Sequence, residues 1–114
     1  MSSKNPAGLA SEEKADDDAR QRRFQDLVDL WKRERGPHSS SARLALHPAY
    51  QQIIDMGPDA VPLLLRELQR EPDHWFRALH AITGADPIPE ASRGNIREMA
   101  EAWIRWGRHE GLLS

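Results

Sequence analysis

Apolar residues fall at helical spacing along most of this chain. Phe24, Leu27, Val28 and Trp31 stand at i, i+3, i+4 and i+7, which predicts a helix over residues 17–35 with one buried stripe. Gly36-Pro37 ends it, because proline disfavours helix in the residue before it. A serine-rich loop, His38–Ser41, follows, and Leu44 and Leu46 are then expected to settle on the core. Pro48 suits the first turn of a second helix, with His47 as its N-cap and Tyr50, Ile53 and Ile54 on its apolar face. Gly57 is placed to close that helix in the left-handed conformation, and Pro58 prevents its continuation. A third helix is predicted from Asp59 to Arg70, tolerating Pro62 in its first turn, with Val61, Leu64, Leu65 and Leu68 inward and Leu63 widening the stripe. Asp73 reads as the N-cap of a fourth helix, in which Trp75, Ala78, Leu79 and Ile82 share a face and Gly84 ends the run. Residues 85–94, with Pro87 and Pro89, read as a loop. Asn95 and Glu98 form a capping-box-like pair at the start of the last helix, whose inner stripe is Ile96, Met99, Ala100, Trp103 and Gly107, with Ile104 and Trp106 at its edges. No alternating run bounded by hairpin turns competes, so the pattern predicts an all-α chain of about five helices.

Composition changes this picture at the N-terminus. Besides Met1, residues 1–18 contain one large aliphatic, Leu9, and no aromatic, against five carboxylates at Glu12, Glu13, Asp16, Asp17 and Asp18. Such a stretch buries too little apolar surface to offset its ordering entropy. The expectation is a disordered acidic tail over residues 1–16 and one helical domain over residues 17–114. With no cysteine in 114 residues, disulfides, thiolate metal sites and a cysteine nucleophile are excluded together. Neither a membrane-spanning run nor the apolar core of a signal peptide is present, and the expected location is cytoplasmic. Charge is unevenly spread: residues 20–43 are rich in Arg and Lys, whereas residues 55–73 are net acidic. The plain reading is solvated helix faces; the sharper one is that the basic helix meets acid, either from the tail folding back or from a partner.

The middle of the chain is built twice. A helix closed by Gly57 and its successor are followed, 27 residues on, by a helix closed by Gly84 and its successor. The run from Ile53 to Leu65, with Gly57 before Ala60-Val61-Pro62-Leu63-Leu64, resembles a HEAT-like repeat of the short, PBS-lyase type. The segment Leu79–Gly84 with Trp103 and Trp106 resembles the ending of many bacterial HEAT-like proteins. The whole chain is also similar to short uncharacterised bacterial proteins through His47–Gly57, Pro72–Phe76 and Ile82–Pro87. The resemblance implies two antiparallel helical pairs, with the N-terminal helix as the capping neighbour that so short an array needs. It brings no activity with it.

Catalytic chemistry finds little support. His74 and His80 are six residues apart, about 240° around one helix, which sets them against sharing a metal ion. No metalloprotease pair, phosphate-binding glycine loop or nucleophile elbow occurs. Ser39, Ser40 and Ser41 near His38 and His47 lack a third orienting group. The expectation is no enzyme, no cofactor and no metal. The leading reading is a non-catalytic protein-binding helical adaptor or accessory subunit, with an antitoxin-like regulator in a bacterial system among its forms, and with homo-oligomerisation open to it through its uncovered ends. Its expected partner surface is Phe76, Arg77, Arg97, Arg105 and Trp106, because exposed aromatics flanked by arginine mark binding sites. The second reading is a nucleic-acid-binding accessory protein acting through Arg20, Arg22, Arg23, Lys32, Arg33 and Arg35, opposed by the net charge of −2 and by Asp26, Asp29 and Glu34 among those cations.

Overall fold

A computed structural model describes the backbone of residues 6–35 and 40–113, and side chains at 15–35, 40 and 42–113. Its helices are α1 (Pro6–Glu34), α2 (Ser41–Ala45), α3 (Pro48–Asp55), α4 (Ala60–Arg70), α5 (Phe76–Thr83) and α6 (Ile96–His109), with single 3-10 turns at Gly57–Asp59 and Glu90–Ser92. Among the described residues there is no strand, so the chain is all-helical as its periodicity predicts. Residues 1–5 of the expected tail lie outside the described set, and from Pro6 onward the backbone continues α1. Among the described side chains, the hydrogen bonds and ion pairs that tie α1 to the rest of the molecule begin at Arg20.

The helices form two layers. In the first, α3 lies between α1 and α5; in the second, α4 packs against α6 and also meets α5 and α1. The apolar stripes converge between the layers, where Val28, Trp31, Tyr50, Ile53, Leu64, Leu65, Leu68, Trp75, Leu79 and Trp103 are buried. Gly107 lets α6 approach α4, since a Cβ there would stand 2.6 Å from Leu65 Cδ1. Gly57 and Gly84, at φ of 73° and 74°, adopt the left-handed conformation expected of them, and each turns the chain toward the other layer.

Three aromatic rings join the first layer. Trp75 lies 4.4 Å from Trp31 and stacks on Tyr50 at 5.4 Å, centroid to centroid. Trp31 Nε1 donates to the Leu44 carbonyl at 3.0 Å, which fixes α2 against α1. Leu44 is buried as expected, but Leu46 is 74% exposed, contrary to the sequence reading. The two residues are about 200° apart on a helical turn, so a short helix lying on the core can bury only one of them.

Helix starts follow the sequence at α3, α4 and α6 and depart from it at α5. His47 caps α3, its Nδ1 accepting from Ala49 N at 3.0 Å while Nε2 meets Glu34 Oε1 at 2.7 Å. Asn95 caps α6 by accepting from Glu98 N at 3.1 Å; Glu98 returns to the Asn95 side-chain amide rather than to its backbone. Helix α4 begins at Ala60, one residue after the expected Asp59, whose side chain makes no cap and pairs with Arg20. Helix α5 begins at Phe76, not at Asp73, and has no side-chain cap of its own. Its third-position amide, Ala78 N, donates to the Tyr50 hydroxyl at 3.0 Å, and that hydroxyl donates to the His74 carbonyl at 2.9 Å. A residue of α3 therefore caps α5 across the layer, and burial pushes the Tyr50 hydroxyl far above its ordinary pKa.

The acid that meets the basic helix comes from the middle of the chain. Lys32 Nζ contacts Glu67 at 3.2 Å and Glu71 at 2.6 Å, and Arg35 Nη1 contacts Asp73 at 2.7 Å. Burial lowers the Lys32 pKa, but the hydrogen bonds it donates to Glu71 and Glu67, with their negative charges, outweigh it and leave the ammonium above its ordinary value. Glu67 is itself buried and also takes Arg70 at 2.9 Å, so its charge is matched. The Arg35 guanidinium sits 4.5 Å from the centre of the Trp31 ring.

Candidate functional site

The α5 start, the α5–α6 connection and α6 enclose an open cleft of about 560 Å³. From α5 and the turn before it come His74, Phe76, Arg77 and His80; from the connection, Asp86, Ile88, Arg93 and Gly94; from α6, Ile96, Met99 and Trp103. The α6 residues stand at i, i+3 and i+7, one stripe of that helix. The connection, read as a plain loop, is a folded wall. Ile88 is buried in the core, and Arg93 Nη2 closes on Asp86 Oδ2 at 2.6 Å. That hydrogen bond holds the Asp86 carboxyl below its usual pKa.

The floor is apolar: Trp103 is buried, and Phe76, Met99 and Ile96 are half-buried. Trp103 Nε1 has no hydrogen-bond partner among the described atoms. The rim is basic. Arg77 is exposed and takes part in no ion pair among the described residues. His80 Nδ1 lies 2.8 Å from the Ala85 carbonyl, which can only accept, so Nδ1 carries the hydrogen and Nε2 is left for a ligand.

Of the five residues expected on the partner surface, Phe76 and Arg77 line this cleft. Trp106 does not; it packs edge-on against Trp103 at 5.2 Å and is half-buried. Arg97 and Arg105 are exposed on α6 away from the cleft lining. The sequence reading missed His74, His80, Asp86, Arg93 and Met99 as neighbours. The six-residue spacing of His74 and His80 sets them on opposite faces only within one helix, but α5 starts at Phe76, and both line the same cleft. Among the described residues no group of three or more His, Asp or Glu side chains is arranged to hold a metal ion. The basic Arg93 seven residues after Asp86 was the one available sign that the loop closes on itself.

A second groove, about 430 Å³, lies between α1 and α4, where Arg22, Arg66 and Arg70 surround Phe24 and Leu63. No helix among the described residues is long and apolar enough to cross a membrane. Comparison with protein-family models, with curated proteins and with solved structures gives no match.

Proposed function

We propose that this chain is a non-catalytic helical adaptor, or an accessory subunit, that binds another protein through the cleft between α5 and α6. The observation that supports this most directly is the cleft's make-up. It combines an apolar floor with an exposed Arg77 that makes no ion pair among the described residues, while Asp86 is held by Arg93 and His80 Nδ1 by the Ala85 carbonyl rather than arranged as a nucleophile and base. The layering also favours the HEAT-like resemblance, because α3 packs on α5 and α4 on α6, as equivalent helices of adjacent repeats do. The test is capture of a stoichiometric partner by the immobilised full chain, compared with the Phe76→Ala/Arg77→Ala double variant. Loss of the partner with an unchanged melting curve supports the reading; equal recovery by both chains contradicts it.

The nucleic-acid reading keeps one specific observation, the α1–α4 groove with Arg22 and Arg66, in which Arg70 is already paired with Glu67. Against it, Arg20, Lys32 and Arg35 already pair with Asp59, Glu67, Glu71 and Asp73. Affinity for mixed DNA or RNA that falls steeply with salt, and is lost in Arg22→Glu/Arg66→Glu, would favour that second reading.

A further inference from the structure

We infer that the segment seated in the α5–α6 cleft is acidic: a bulky apolar anchor flanked by carboxylates. This rests on the adaptor reading and adds the chemistry of the partner. The cleft holds two guanidinium groups, Arg77 and Arg93, and one carboxylate, Asp86. Arg93 and Asp86 neutralise each other at 2.6 Å, which leaves Arg77 uncompensated. The charge left in the cleft therefore favours an acidic segment.

The dimensions set the length of the segment. Ile96 to Trp103 spans about 10 Å of helix, which matches about three residues of extended chain. The central residue meets the apolar floor of Phe76, Met99 and Trp103. A carboxylate beside it reaches Arg77.

Selection of a random twelve-residue peptide display library on the purified full chain tests this. The expected result is enrichment of sequences with Asp or Glu beside Leu, Ile, Phe or Trp. Their affinity should fall about tenfold in Arg77→Glu and much less in Arg77→Lys, because the charge and not the fork is the main determinant. Melting curves of both variants should match the parent, since Arg77 is exposed and makes no ion pair among the described residues. Enrichment of neutral or basic sequences overturns the inference, as does acidic enrichment indifferent to Arg77→Glu, or no enrichment at all. The adaptor reading fails separately, when the full chain captures no protein partner.

Discussion

Replacing Tyr50 with Phe removes one oxygen and leaves the ring that stacks on Trp75. The side chain is fully buried, and its hydroxyl both accepts from Ala78 N and donates to the His74 carbonyl. Ala78 is also fully buried, so its amide would be left without an acceptor. Loss of a helix N-cap costs about 0.5–2 kcal/mol, and an orphaned buried donor costs about 1–3 kcal/mol. These describe the same amide and do not add, so the expected loss is about 2 kcal/mol, including the weaker bond to His74. With a urea dependence of about 2 kcal/mol/M, the midpoint should fall by about 1 M at unchanged slope. Urea unfolding followed by circular dichroism measures this, and native-state hydrogen exchange should show faster exchange at the Ala78 amide. A midpoint shift below about 0.2 M would refute the cross-layer cap, because the hydroxyl would then contribute nothing beyond the ring.

Four further outcomes follow from other contacts. Arg35→Gln removes a charge-assisted bond to the buried Asp73 and a cation–π contact on Trp31, and should cost about 2–3 kcal/mol in chemical denaturation, since Asp73 keeps only the His74 amide. His47→Ala should cost about 1 kcal/mol through the lost α3 cap, with no change in the cleft's binding. Gly84→Ala should cost about 1–2 kcal/mol although a Cβ there meets nothing within 4 Å, because the penalty is purely backbone; Gly84→Asn should recover part of it. Asp86 should titrate below the ordinary aspartate range by carbon-detected NMR and return toward it in Arg93→Gln. Because its folded pKa is depressed, any stabilisation it gives is present above the unfolded value and disappears as pH falls through the folded one.

The periodic parts of this molecule were legible because they are local. The stripes of Phe24–Trp31, Val61–Leu68 and Ile96–Gly107 mark buried faces, and Gly57, Gly84, His47 and Asn95 mark helix ends by their own backbone chemistry. What escaped the sequence depends on partners distant along the chain. Asp73 has the composition of an N-cap, yet it turns to Arg35, 38 residues earlier, and α5 is capped by Tyr50 instead. The charge asymmetry was visible, but not that Lys32 and Arg35 would meet Glu67, Glu71 and Asp73. For the cleft, the reading found Phe76 and Arg77 on one wall. The other wall is a connection with no period, shaped by the burial of Ile88 and the Arg93–Asp86 pair. Periodicity tells which face of a helix is inward; it does not tell which neighbour lies across it.

The most direct test is amide chemical-shift mapping on the isotopically labelled full chain, titrated with the protein partner it captures. Perturbations should gather at residues 74–80, 86–96 and 99–103 and disappear in Arg77→Glu. Shifts clustered instead at residues 20–33 and 63–70 would place binding on the α1–α4 groove and contradict the adaptor cleft.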